Sequence, residues 1–155
     1  MTTIFIAGSR NIKMLNNDIK STIDNIISQN FNIVIGDANG ADKAVQKYLK
    51  ELDYQNITIY YSGLKCRNNL GLWKVNSVFV DTCLVGRDFY TQKDIKMATV
   101  ADFGFMIWDN NSKGTLNNIL ELTKQQKKVK VYSCPKRTFF KIKSPEHAKK
   151  LACNI

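Results

Sequence analysis

Three polar segments of the chain carry the residues best suited to chemistry, and each follows an apolar run. They are Gly8-Ser9-Arg10, residues 36–42 and residues 109–115. Apolar residues at helical spacing come after each of them, so each is predicted to join the end of a strand to the start of a helix. The free N–H groups and the dipole of a helix N-terminus favour an anion, typically phosphate. The pattern therefore predicts an anion site where these segments meet.

The third segment is the most informative of the three. It follows the run Phe103 to Trp108, which is apolar at every position and is typical of a strand covered on both faces. Ser112 is expected to cap the next helix, and Gly114 lets a ligand approach the backbone of its first turn. Trp108 either stacks on a base or is an ordinary core tryptophan.

A strand, a glycine-containing turn and a helix recur along the chain, which predicts right-handed βαβ units and a parallel sheet. All three segments then lie at one edge of the sheet, where open α/β folds bind their ligands. Arg10 adds a guanidinium that can hold phosphate through two hydrogen bonds. We therefore expect a nucleotide-like anion to bind through Gly8, Ser9, Arg10, Gly36, Asp37, Gly40, Ala41, Asp42, Trp108, Asp109, Ser112, Lys113, Gly114, Thr115 and Asn118.

These elements predict an α/β fold, a single Rossmann-like three-layer domain with a parallel sheet of about five strands. Its core is expected over about 3–133, followed by a basic C-terminal extension, 134–155. A helix is expected from about Gln92 to Ala101, an edge strand over Thr138–Ile142 and a final helix opened by Pro145. Residues 62–91 have no clear pattern, and residues 74–85 fit either a strand or an irregular excursion.

Composition excludes several classes of protein. The 155 residues suit one domain, and no apolar run approaches the ~20 residues that cross a bilayer. The N-terminus has no basic leader, so a cytoplasmic location is expected. The four cysteines are widely spaced, and the one histidine, His147, lies in the tail. We therefore expect neither a metal site nor a cofactor.

The formal charge of +10 is concentrated near the C-terminus, where residues 124–150 contain many lysines and the single acid Glu146. Such a run attracts nucleic acid or another polyanion, or it forms a solvated face. Since no aromatic-interleaved module for base stacking is evident, any nucleic-acid binding is expected to be weak.

Several short motifs together resemble the SLOG superfamily of Rossmann-like nucleotide-binding domains, over Ile4 to Tyr132. The motifs are Gly8-Ser9-Arg10, Gly40-Ala41-Asp42, Asp94-x-x-Met97 with Ala101-Asp102, Trp108-Asp109 and Ser112-x-Gly114-Thr115. That superfamily includes small stand-alone proteins, phosphoribohydrolases of the LONELY GUY type and DNA-processing recombination mediators. The resemblance implies a homo-oligomer that binds a nucleotide. Relatives in bacterial and phage conflict handle cyclic or ADP-ribose-like signals.

The chain departs from the phosphoribohydrolase pattern at two positions. Asn118 stands where those enzymes carry a catalytic glutamate, and Lys93 stands where they carry an arginine. An amide cannot take a proton as a carboxylate does, and lysine lacks the two-pronged grip of arginine. We therefore expect a protein that senses or sequesters a nucleotide or nucleotide-derived signal. The alternatives are an N-glycosidic hydrolase or transferase using Asp37, Asp94, Asp109 or Lys93, and a nucleic-acid-binding module.

Overall fold

A computed structural model describes residues 1–78 and 86–153, with residues 86–90 described by their backbone alone. Its strands are β1 (Thr3–Gly8), β2 (Asn32–Gly36), β3 (Ile57–Ser62), β4 (Lys74–Val78), β5 (Phe103–Trp108), β6 (Lys128–Ser133) and β7 (Thr138–Ile142). Its helices are α1 (Asn17–Ser28), α2 (Ala41–Glu51), α3 (Gly86–Val100), α4 (Lys113–Lys124) and α5 (Pro145–Cys153). In the part of the chain that is described, no helix is long and apolar enough to cross a membrane.

The described strands form one seven-stranded sheet in the order β4-β3-β2-β1-β5-β6-β7. Neighbouring strands from β4 to β6 are parallel, and β7 pairs with β6 in the antiparallel sense. The predicted α/β class is thus confirmed, whereas the expected number of about five strands is too low. β7 occupies the predicted edge position. β4 lies in the region without a clear pattern, where four of its five residues are exposed and leave no apolar signal.

Two apolar layers lie on opposite faces of the sheet and make the fold three-layered. On one face, α1 and α2 bury Ile23 and Leu49 against Ile6 and neighbouring strand residues. On the other face, α3, α4 and α5 pack against side chains that include Phe5. Residues 4–7 of β1 and 104–108 of β5 are buried, because both faces of the sheet are covered there, so these runs have no polar side.

The C-terminal segment is part of this core. Ile142 is fully buried and Ala148 is 1% exposed, and both belong to the same apolar layer as Phe5. α5 begins at Pro145 as predicted, whereas α3 begins at Gly86, earlier than the expected start near Gln92. Residues 134–153 therefore continue the sheet and its helical cover.

The order in which strands are added to the sheet reverses at β1. From β1 the chain builds outward through β2 to β4, then returns to place β5 on the other side of β1. Helices that follow β1 and β5 consequently leave toward opposite faces, which opens a crevice at the carboxyl ends of these two strands.

Candidate functional site

A cleft of about 710 Å³ occupies this crevice at the carboxyl edge of the sheet. Many of the residues expected to bind the ligand line it, namely Gly8, Arg10, Asp42, Asp109, Ser112, Lys113, Gly114, Thr115 and Asn118. It is completed by Ala7, Asn11, Ala38, Thr91, Lys93, Asp94 and Asn111. The three polar segments, distant in sequence, thus converge on one cavity.

Ser9 holds the three segments together from below the cleft. Its side chain is fully buried, and its hydroxyl donates to Oδ1 of Asp109 over 3.0 Å. Its backbone carbonyl accepts from the N–H of Ala41 over 3.2 Å, while its own N–H donates to the carbonyl of Ile107. Ser9 therefore positions the loops and does not itself line the cleft.

Asp109 fixes the shape of the loop before α4. Its carboxylate accepts from the backbone N–H groups of Asn111, over 2.9 Å, and Ser112, over 2.7 Å. Burial favours the neutral acid, but these hydrogen bonds and those from Ser9 and Asn11 outweigh it, so the pKa of Asp109 lies below its ordinary value. Asp109 is consequently a constant negative charge that organises the loop.

The N-terminus of α4 faces the cleft and is capped from within the loop. The hydroxyl of Ser112 accepts from the backbone N–H of Thr115 over 3.3 Å, which is the expected cap. Trp108 donates from Nε1 to the carbonyl of Ser112 over 3.0 Å, and only 2% of its surface is exposed. Its indole therefore lies in the core and braces the loop, where base stacking has no exposed ring face to use.

Asn118, one turn further along α4, has an amide that is free to bind a ligand. Its side chain lines the cleft and the residue is 8% exposed. Among the described residues its amide has no hydrogen-bond partner. Nearly buried polar side chains usually have partners, so an amide in this situation marks a place where a ligand completes the hydrogen bonds.

A buried charge cluster of Asp42, Lys93 and Asp94 forms another wall of the cleft. Lys93 is 4% exposed and donates from Nζ to Oδ1 of Asp94 over 3.1 Å. Asp42 is 6% exposed and accepts from the N–H of Ala38 over 3.2 Å. A Cβ added at Gly36 would lie 2.5 Å from Nζ of Lys93 and 2.6 Å from Oδ2 of Asp42. Gly36, expected to contact the ligand, instead leaves room for this cluster.

The carboxylates of the cluster differ in their environments. Burial raises the pKa of Asp42 to about 6, against the opposing charge of Lys93 and with some help from Asp94. Burial also disfavours the charged form of Lys93, but Asp94 and Asp42 outweigh it and raise the pKa of Lys93 above its ordinary value. Lys93 therefore remains a cation, and Asp42 changes charge near pH 6.

Asp37, expected to bind ribose or act in catalysis, has another partner. Its buried carboxylate accepts from the backbone N–H, Nε and Nη2 of Arg67, with an ion pair of 2.8 Å. Burial opposes the charge of Asp37, but the hydrogen bonds and charge of Arg67 prevail and lower its pKa. Asp37 thus anchors the segment around Arg67 to the end of β2.

Gly40 and Ala41, also expected at the ligand, bring two loops into close contact. Gly40 has φ of 83°, and a Cβ there would overlap the backbone of Arg10. Ala41 is fully buried beside Gly8. A Cβ added at Gly8 would lie 2.7 Å from the Cβ of Ala41. These small residues act through the shape of the site.

Sequence reasoning missed Asn11 and Thr91 at the cleft and Arg67 behind it. All three lie in segments without apolar periodicity, so no pattern singled them out. Within the described residues, no group of histidine, cysteine, aspartate and glutamate side chains is arranged to hold a metal ion. No protein-family model matches the chain, and comparisons with characterised proteins and with solved structures likewise found no match.

Proposed function

We propose that this protein binds a nucleotide or nucleotide-derived signalling molecule in the cleft, as a sensor or a sequestering protein. The observation that carries the proposal is the nearly buried, unpartnered amide of Asn118 beside the N-terminus of α4. A helix N-terminus attracts phosphate, and an amide can donate to a phosphate oxygen or read the edge of a base. The volume of about 710 Å³ is ordinary for a small-molecule site.

The two kinds of charge in the cleft favour a nucleotide over inorganic phosphate. Arg10 and Lys113 line it with the N-terminus of α4 and supply positive charge for phosphate. Asp42 and Asp94 also line it, and carboxylates accept hydrogen bonds from sugar hydroxyls. A phosphorylated sugar with a base uses both, in agreement with the resemblance to the SLOG superfamily.

Cleavage or transfer at an N-glycosidic bond is the second candidate, favoured by the different environments of Asp42 and Asp94. An acid with a pKa of about 6 can protonate a departing base, and a carboxylate paired with Lys93 can stabilise a ribosyl cation. Binding without turnover remains our first choice because Asn118 supplies an amide at the N-terminus of α4, where the phosphoribohydrolases carry a carboxylate.

The proposal is tested first by native mass spectrometry of gently purified protein, which weighs any retained molecule. Calorimetry with nucleoside monophosphates, nucleoside diphosphates and ADP-ribose then measures affinity. Asn118→Asp keeps the side-chain shape and places a carboxylate beside the phosphate, so we expect binding to weaken about tenfold or more. Lys43→Ala, an exposed change on α2 outside the cleft, is the matched control and should bind normally.

Two results would contradict the proposal. One is that no member of the panel binds and no ligand co-purifies. The other is that Asn118→Asp binds as tightly as the unaltered protein. Chromatography of the same mixtures detects released base, and repeated turnover that Asp42→Asn or Asp94→Asn abolishes would establish the enzyme in place of the binder.

A further inference from the structure

One corner of the sheet carries aromatic and basic side chains that the described helices leave open to solvent. We call it the β6–β7 face and define it by Phe103, Lys128, Lys130, Phe139 and Lys141. Phe103 is 42% exposed and Phe139 is 37% exposed, Lys128 and Lys141 are exposed, and Lys130 is half-buried. Exposed aromatic rings and cations on one face supply the two kinds of group that contact a polyanion with bases.

Strand register places these side chains on the same side of the sheet. Phe103 pairs with Lys128 across β5 and β6, and Lys130 pairs with Lys141 across β6 and β7. Phe139 pairs with Tyr132, whose ring belongs to the apolar layer under α1 and α2. The alternate residues Val129 and Ile142 belong to the opposite layer. From strand spacings, the two phenylalanines stand roughly 16 Å apart with the lysines between them.

The electrostatics of the β6–β7 face are unbalanced. Lys130 and Lys141 are directly opposite each other, an arrangement of like charges that destabilises a sheet. In the described part of the chain no ion pair involves either of them or Lys128. Two nearby acids form no ion pair with these lysines: Asp18 accepts from the hydroxyl of Tyr132, and Asp102 accepts from the N–H of Thr3. A polyanion would relieve this repulsion.

A basic and an aromatic side chain are also in direct contact on this face. Nζ of Lys130 lies 4.4 Å from the ring centroid of Phe139, and that ring leans on Tyr132 with centroids 4.8 Å apart. The ring is thereby held at the surface with the ammonium group over it, and 37% of the residue stays exposed. Proteins that bind single strands combine such cations with aromatic rings on which unpaired bases stack.

We infer that the β6–β7 face binds single-stranded nucleic acid. A single strand offers both phosphates for the lysines and unstacked bases for the phenylalanines. In a duplex the bases are already stacked on one another, and an acidic protein offers no equivalent flat rings in series. The inference does not depend on the cleft, which lies at the carboxyl ends of β1 and β5.

Fluorescence anisotropy with a labelled oligothymidylate of about 12 nucleotides, within the usual site size of single-strand-binding folds, tests this inference. With three lysine contacts, we expect affinity to fall roughly twentyfold between about 50 and 200 mM salt. Lys130→Gln/Lys141→Gln should reduce the slope of log affinity against log salt by about 1.4, since each phosphate contact contributes ~0.7. Lys43→Gln/Lys47→Gln on α2 removes the same charge elsewhere and should leave the slope unchanged.

The aromatic part of the inference is tested with Phe139→Leu, which keeps apolar contact with Tyr132 and removes the stacking ring. We expect oligothymidylate binding to weaken about fivefold or more, while binding of polyphosphate, which has no bases, stays the same. If Lys130→Gln/Lys141→Gln melts at a lower temperature than the unaltered protein, Lys128→Gln at an exposed position replaces it in the salt titration. Absence of binding at low salt, equal losses in the two double variants, or unaltered binding by Phe139→Leu would each overturn the inference.

Discussion

Asn118 and Asp42 are both nearly buried at the wall of the cleft, and each has a polar group that faces the cavity. The amide of Asn118 lacks a partner among the described residues and faces the cleft, where water or a ligand can complete its hydrogen bonds. Asp42 is held where burial penalises its charge. Structural polar residues of this chain are satisfied differently, as the bonds of Asp109 and Asp37 show. A carboxylate whose pKa is shifted by burial, beside an open amide in the same cleft, is typical of a functional site.

The state of Asp42 leads to a prediction about stability and pH. Its pKa is about 6 in the folded protein against a reference of 3.8, so between these values the folded state retains a proton that the unfolded state releases. This contribution is complete below the reference value and is lost as pH rises through about 6. Relative to Asp42→Asn, the unaltered protein should therefore gain melting temperature as pH falls from about 6 to 4, measured by calorimetry.

Asp109→Asn is the control of opposite sign. The pKa of Asp109 is lowered in the folded protein, so its contribution is present above the reference value and is lost as pH falls. The unaltered protein should lose its advantage over Asp109→Asn in the acidic range. Parallel melting curves for the unaltered protein and Asp42→Asn across this range would contradict the assigned environment of Asp42.

At the scale of elements, α4 links the fold to the cleft. Its start is set by the cap from Ser112, which is in turn held by Trp108 and Asp109. The C-terminal end of α3 is also held by a side chain. Nζ of Lys127 donates to the carbonyls of Ala98 and Thr99, each over 2.6 Å. α3 carries Lys93 and Asp94, so these end contacts position both walls of the cleft.

Capping gives a prediction with a built-in comparison. Ser112→Ala removes the hydroxyl that accepts from Thr115, and Ser144→Ala removes the equivalent hydroxyl, which accepts from the N–H of His147 at the start of α5. Each change should lower the free energy of unfolding by about 1 kcal/mol in urea titrations. Only Ser112→Ala should also weaken binding of the nucleotide identified for the cleft. Equal nucleotide affinities for the two variants would show that the N-terminus of α4 takes no part in ligand binding.

Sequence patterns predicted most of these elements because their signals are apolar and periodic. The run Phe103 to Trp108 indicated a strand buried on both faces, and the structure places it at the centre of the sheet. β4 could not be recognised in the same way because its side chains face solvent. The loops were located through their glycines, but the division between ligand-facing and supporting residues depends on three-dimensional partners. The pairing of Asp37 with Arg67, 30 residues away, left no local trace.

At the scale of the whole molecule, the sheet grows outward from β1 in both directions, and the cleft lies where the two directions meet. The C-terminal third contributes to this arrangement in two ways. β7 and α5 extend the sheet and cover one face, while the lysines of β6 and β7 lie on the other. These lysines, which the sequence alone indicates only as a basic tail, therefore lie on an ordered surface. The segment that carries them packs into the core.

The last prediction measures whether the C-terminal segment is part of the folding unit. Leu151 on α5 is 8% exposed and belongs to the apolar layer shared with α3 and α4. Leu151→Ala should lower the free energy of unfolding by about 2–5 kcal/mol, because removal of a packed leucine leaves a cavity. The neighbouring exposed change Lys150→Ala should alter it by no more than about 0.5 kcal/mol. Urea unfolding followed by circular dichroism gives both values. A neutral effect of Leu151→Ala, with a single cooperative transition, would show that residues 134–153 are an appended extension that the rest of the domain does not need.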